Sequence, residues 1–133
     1  MTVKFAIVGC GRILKKHLEA IRDIEKAELV AVCDIISEKA EIAGKNANVP
    51  WYTCYNEMLS KHPETDVVTI LTPSGMHAEH VIDIANKFKK HIVCEKPMAL
   101  KLEDADQMIK TCDINGVKLF IVKQNRFVNL HEE

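Results

Sequence analysis

Four things are missing from this chain, and each absence closes off a class of function. There is no C-x-x-C pair among the five cysteines Cys10, Cys33, Cys54, Cys94 and Cys112. With an odd count and no metal-ligand spacing, neither a disulfide framework nor a zinc site is expected. Cys10, Cys33 and Cys94 lie in or just after apolar runs and read as small buried hydrophobes. There is no apolar run of about 18 residues, so no membrane-spanning helix is expected. There is no charged-then-apolar leader, which makes the cytoplasm the expected location. There is no basic stripe either: the formal net charge is −1, and neither nucleic acid nor a membrane surface is expected as a partner. No repeat, linker or low-complexity segment interrupts the 133 residues, enough for one domain with its own core.

What is present is an alternation. Runs rich in β-branched residues occur at Val3–Val8, Glu28–Cys33, Asp66–Leu71, His91–Cys94 and Lys118–Lys123, with a weaker one at Trp51-Tyr52. Several are apolar throughout, as in Val67-Val68-Thr69-Ile70-Leu71, the pattern of strands covered on both faces. Between them lie amphipathic stretches: Arg12–Ile24, Ser37–Asn46, Asn56–Lys61, Gly75–Phe88 and Leu102–Ile114. In the first, Ile13, Leu14, Leu18 and Ile21 form one apolar stripe. Ser37 is placed to cap the second helix. Glu103, Asp104 and Asp106 suit the positive end of the last helix, and Asn115-Gly116 is a left-handed stop. Strand–helix alternation predicts an α/β fold: a Rossmann-type, doubly wound parallel sheet of about six strands with helices on both faces.

Val8-Gly9-Cys10-Gly11-Arg12-Ile13-Leu14 joins the first strand to the first helix. In the dinucleotide pattern G-x-G-x-x-G/A, Gly9 allows the tight turn, and Gly11 lets the backbone approach a pyrophosphate lying at the helix N-terminus. The third small position is occupied by Leu14, which must push the helix away or repack locally. Asp34 ends the second strand, 25 positions after Gly9, where an acid is expected to accept ribose hydroxyls; as a lone aspartate it equally suits a surface or capping role. Ile35 and Ile36 follow with no arginine, so NAD is favoured over NADP, with Lys39 the one nearby cation.

Leu71-Thr72-Pro73-Ser74-Gly75-Met76-His77 closes another strand, and in a doubly wound sheet such a loop lies at the ligand crevice. His77 and His80 lie one helical turn apart. A metal would need a third ligand, which is absent, so local hydrogen bonding is the expected role and no metal site is predicted. Cys94-Glu95-Lys96-Pro97 ends the next strand. Lys96 there is either solvated or aimed into the crevice, where an ammonium can orient a hydroxyl and favour developing oxyanion character as hydride leaves.

Glu95-Lys96-Pro97, the glycine turn and Thr72-Pro73 together resemble the NAD(P)-binding domain of the glucose–fructose oxidoreductase/inositol dehydrogenase (Gfo/Idh/MocA) family. The resemblance runs from Val3 to Phe127 and is most specific in TPSGMHAEH (72–80), KHIVCEKPMAL (90–100) and LFIVKQNRF (119–127). The last looks most like bacterial UDP-N-acetylglucosaminuronate 3-dehydrogenases of lipopolysaccharide and surface-polysaccharide synthesis. The resemblance implies that Gly9, Gly11, Arg12 and Ile13 hold the pyrophosphate of NAD and Asp34 its adenosine ribose. It implies that Thr72, Pro73, Ser74 and His77 line the cofactor crevice, with Glu95, Lys96 and Pro97 at the nicotinamide ribose. Lys96 would be catalytic. Gln124 would approach the nicotinamide, while Asn125 and Arg126, with Lys96, would meet a nucleotide-sugar substrate. A cationic Arg126 suits an acidic UDP-sugar through charge-assisted bonds.

Three further features depart from the pattern or bear on it. Lys89 stands where a glycine usually precedes the fifth strand, and would need a left-handed backbone or a different turn. Lys101 replaces the usual Ser/Thr helix cap. Members of the family carry a second domain for substrate and subunit contacts, so residues 1–126 read as the NAD-binding domain and residues 127–133 as the start of a connection to it. A strand at Lys118–Lys123 lacking cover would present a sheet edge for a homo-oligomer. The alternatives are a standalone nucleotide-binding or regulatory module, and an S-adenosylmethionine-binding domain; Thr72-Pro73 and Glu95-Lys96-Pro97 argue against the latter.

Overall fold

The apolar runs do become strands, and the parallel pairing they predict is what forms. The computed structural model describes residues 2–95, 99, 101–123 and 126–129. The chain divides into two units, Met1–Leu71 and Thr72–Glu133.

The first unit runs β1 (Val3–Val8), α1 (Leu14–Asp23), β2 (Ala27–Cys33), α2 (Ser37–Ala47), β3 (Trp51–Tyr52), α3 (Tyr55–Lys61) and β4 (Val67–Ile70). β1 pairs in parallel with β2 and with β4, and β2 pairs in parallel with β3. All four residues of β4 are buried, as are the last three of β1 and of β2. This burial is why these runs show no polar alternation. Ile7, Cys10, Leu14, Ile21, Val32, Ala43 and Leu71 form one core cluster. Each large aliphatic side chain there contributes about 1.5–3 kcal/mol by leaving water.

Leu14 resolves one departure from the dinucleotide pattern. It is buried in the same cluster as two small residues, Cys10 and Ala43, so local repacking has absorbed its bulk. It is also where α1 begins: Arg12 and Ile13 precede the helix, two residues later than the apolar stripe suggested. The expected Ser37 cap does not form. Ile36 is the N-cap of α2, without a side-chain cap, and Ser37 is already helical. Instead, Asp34 Oδ1 accepts the N–H of the N-cap residue Ile36 at 2.8 Å, an Asx turn that leads the chain into α2 without capping it. α2 ends at Asn48 in the left-handed region, φ 58°. Gly44 on α2 is a packing glycine: a Cβ there would sit 2.5 Å from the Trp51 ring.

The second unit opens with a 3-10 turn at Ser74–Met76. It continues through α4 (His77–Phe88), β5 (His91–Glu95), α5 (Leu102–Ile114), β6 (Leu119–Lys123) and β7 (Arg126–Asn129). β5 and β6 are parallel. The helix expected from Gly75 starts at His77, because Pro73 accepts the Met76 N–H (2.8 Å) and tightens the first turn. β7 is an addition to the expected strands. It pairs antiparallel with β6, from Lys123↔Arg126 to Phe120↔Asn129, and covers the edge of β6 that was expected to be open.

Lys89 does adopt the left-handed conformation, φ 53°. A bond from Lys89 Nζ to Asn115 Oδ1 (2.7 Å) and one from Asn115 Nδ2 to Asn86 Oδ1 (2.8 Å) offset part of that cost. Lys101 precedes α5 without a side-chain cap, and Gly116 follows it at φ 69°, as predicted. Among the described residues no helix is long and apolar enough to cross a membrane.

Candidate functional site

In the first unit the glycine turn is assembled from backbone groups. Gly9 sits at φ 105°, open to glycine and strained for other residues, and donates its N–H to Cys33 O at 2.8 Å. Gly11 is different. Its φ is not positive, and a Cβ built on it meets nothing within 4 Å. No internal contact therefore demands glycine there, which is what a close approach by a bound group would explain. Arg12 is exposed and Ile13 half-buried beside it. Ile13 caps α1 without a side-chain bond, and the first turn of α1 carries no acidic residue. The positive end of that helix is thus offered to an anion without a competing carboxylate.

Asp34 is half-buried at the end of β2. Its Oδ2 accepts the Cys10 N–H at 2.8 Å and its Oδ1 the Ile36 N–H at 2.8 Å. Each oxygen keeps a further lone pair, so the carboxylate is both fixed against the turn and able to accept ligand hydroxyls. Cys10 is buried below it, its Sγ directed to Cys33 O at 3.4 Å. Burial, with the Asp34 charge adding, pushes the Cys10 thiol up to about 12; burial pushes Cys33 up to about 12 as well. Both are inert packing groups, as expected. Cys54 is exposed, and backbone N–H groups of Glu57 and Asn56 draw its pKa down.

In the second unit Thr72 is held twice. His77, 2% exposed, donates from Nε2 to Thr72 O at 2.7 Å, and the Thr72 hydroxyl lies 2.9 Å from His80 Nδ1. Both histidines are thus engaged locally. Burial lowers the His80 pKa, against a smaller opposing pull from Glu79. Pro73 is exposed, and Ser74 opens the 3-10 turn. Glu95 ends β5 half-buried; burial, with Glu95 adding, pushes its neighbour Cys94 up to about 12. Lys96, Pro97, Gln124 and Asn125 lie outside the described residues. Arg126 opens β7, its backbone paired with Lys123. Among the described residues no group of three or more His, Cys, Asp or Glu is placed to hold a metal ion.

Gly9, Gly11, Arg12, Ile13 and Asp34 therefore come together in the first unit, joined by the Asp34–Cys10 bond. Thr72 and His77 come together in the second. The part played by Ile36 N–H was missed; the two-residue spacing from Asp34 was its only signal.

Residues 3–123 match the oxidoreductase family with the NAD-binding Rossmann fold. The chain belongs to the Gfo/Idh/MocA family. The WlbA dehydrogenase of Bordetella pertussis, solved in complex with NADH and UDP-GlcNAcA, is 40% identical with a TM-score of 0.89, over 95% of this chain and 38% of that one. The Rossmann-type α/β fold is thereby shown. D-Apiose dehydrogenase of Paraburkholderia graminis is 36% identical over 93% of this chain and 33% of its own length. The NADP(+)-dependent scyllo-inositol 2-dehydrogenase IolU of Bacillus subtilis is 32% identical over 95% and 38%. The chain thus spans between a third and two-fifths of these Gfo/Idh/MocA relatives.

Proposed function

We propose that this chain supplies the NAD-binding part, residues 1–126, of an enzyme that moves hydride between a nucleotide-sugar hydroxyl and nicotinamide. The setting is the making of sugars for lipopolysaccharide or other surface polysaccharide in the cytoplasm. The observation that carries the cofactor reading is the glycine turn itself. Open space over Gly11, an uncapped α1 and a fixed Asp34 lie around one loop. When bound, nicotinamide would supply the hydride acceptor. Around it, Gly9, Gly11, Arg12 and Ile13 would offer backbone N–H groups to the pyrophosphate. Asp34 would accept the ribose hydroxyls and repel a 2′-phosphate, so NAD is preferred to NADP.

The likeness to WlbA supports the substrate class. Thr72, Pro73, Ser74, His77, Glu95, Pro97 and Gln124 would line the cofactor. Lys96 would orient the sugar hydroxyl and favour its deprotonation. Asn125 and Arg126 would bind the substrate, Arg126 through its carboxylate or phosphate. From residue 127 the chain would lead toward a second domain for substrate and subunit contacts.

Calorimetric titration with NAD tests the reading. The chain should bind, Asp34→Ala should weaken binding about tenfold through loss of charge-assisted hydrogen bonds, and Lys96→Ala should weaken it less. No binding at millimolar NAD would sink the proposal.

A further inference from the structure

A side-chain relay in the first unit has no part in the site described so far. Tyr52 Oη lies 2.8 Å from His62 Nε2, and His62 Nδ1 lies 3.1 Å from Glu64 Oε2. A carboxylate only accepts, so Nδ1 carries the proton. In the neutral ring Nε2 is then the acceptor, and the Tyr52 hydroxyl donates to it. In that form the relay runs in one direction, from Tyr52 to Glu64. The two rings meet edge-on, centroids 5.6 Å apart, and Lys61 Nζ stands 6.0 Å from the Tyr52 ring. His62 is held from the other side as well: its carbonyl accepts from Thr65 N (3.1 Å) and from Thr65 Oγ1 (2.8 Å), and Thr65 is 1% exposed.

What the relay holds is β3. Among the described residues that two-residue strand pairs with β2 alone, a short ladder, and Trp51 packs on Gly44 of α2. The strand's last carbonyl, Tyr52 O, accepts the Asp34 N–H at 3.1 Å. Asp34 in turn grips Cys10 in the glycine turn at 2.8 Å. A continuous chain of bonds thus runs from Glu64 through His62 and Tyr52 to Asp34 and the turn.

We propose that Tyr52, His62 and Glu64 are positioning residues for the cofactor's adenosine ribose, acting through the backbone of β3 on the Asp34 carboxylate. This rests on the reading of Asp34 as the ribose acceptor. Tyr52→Phe removes one hydroxyl and keeps the ring, so it releases the relay with little disturbance of packing. Because the relay acts through Asp34, its effect requires the ribose hydroxyls that Asp34 would bind.

The test measures binding of NADH and of its adenosine-2′,3′-dideoxy analogue, by nucleotide fluorescence, to wild type, Tyr52→Phe, His62→Gln and Asp34→Ala. Tyr52→Phe should raise the Kd for NADH about fivefold, the worth of one hydrogen bond, and leave the Kd for the dideoxy analogue unchanged. His62→Gln should show the same split. Equal losses for both ligands would mean a packing effect only and would overturn the inference, as would no loss for either. Wild type that binds no NADH, or Asp34→Ala that binds it as wild type does, would instead overturn the cofactor reading and the inference with it.

Discussion

The loop after β1 and the loop after β4 solve the same local problem, turning a buried strand into a helix, in opposite ways. The first is left open. Its helix has no capping side chain and no acid in the first turn, and Gly11 faces empty space. Asp34, at the end of another strand, supports it by accepting the Cys10 N–H. The second is filled. Pro73 tightens it, and two buried histidines bind both polar ends of Thr72. Open backbone donors suit an anion that arrives; a braced threonine suits a surface that must already be in place. Stability should therefore depend little on Gly11 of the first loop and strongly on the second loop's histidines, and ligand affinity the reverse.

Gly11→Val gives the largest effect in that scheme. The new side chain finds room in the protein alone, so the melting temperature should stay within about 1–2 °C, as for an ordinary surface change. It would occupy the space over the turn, and NADH affinity should fall about a hundredfold, close to 2.7 kcal/mol. Unfolding of this variant together with loss of binding would erase the distinction between the loops. Gly44→Ala makes a control, since its Cβ would strike Trp51 and Val49 O: it should lower stability by about 1–3 kcal/mol through overpacking.

His77→Phe reverses the pattern. Phenylalanine keeps much of the buried volume but leaves Thr72 O without the bond now made at 2.7 Å. Leaving this part-buried carbonyl unsatisfied costs about 1–2 kcal/mol. For a chain of this size the melting temperature should drop by roughly 3–8 °C, read by circular dichroism. An unchanged melting temperature would show that the second loop is no more braced than the first.

The strands were readable because burial on both faces leaves an unmistakable apolar run, as in Val67–Ile70. The two histidines were readable as local hydrogen bonders because one helical turn separates them and no third ligand accompanies them. Lys89 was readable as a strained position because glycine is expected there, and its φ of 53° agrees. Other features were not readable, each for a definite reason. Ser37 has the chemistry of a cap, but the Asx turn from Asp34, three residues upstream, fixes Ile36 at 2.8 Å and the helix has already begun at Ser37. Leu14 breaks the small-residue rule on paper, yet it packs in one cluster with the small Cys10 and with Ala43, which is distant in sequence. The Tyr52–His62 bond of the relay joins residues ten apart, on a strand and at a helix end; no periodicity encodes such a pairing. β7 follows β6 after Gln124-Asn125, a pair without the glycine that marks a two-residue hairpin turn in sequence.

The smallest effect is one of pH, and it sharpens what the second loop's bracing consists of. His80 is drawn below its ordinary value of 6.5 by burial first, with Glu79 and Asp83 opposing and His77 adding to the fall. The folded protein therefore prefers the neutral ring, which faces the Thr72 hydroxyl at 2.9 Å. The unfolded chain takes up a proton near the ordinary value while the folded chain still resists it, so protonation favours unfolding. The stability that neutral His80 contributes is complete above about pH 6.5 and is lost as the pH falls through the lowered folded value. His80→Gln offers Thr72 an uncharged partner at every pH. Thermal melts from pH 7.5 down to pH 5 should thus fall less steeply for the glutamine variant than for wild type. Parallel curves would show that Thr72 is braced by His77 alone and that His80 serves only to fill space.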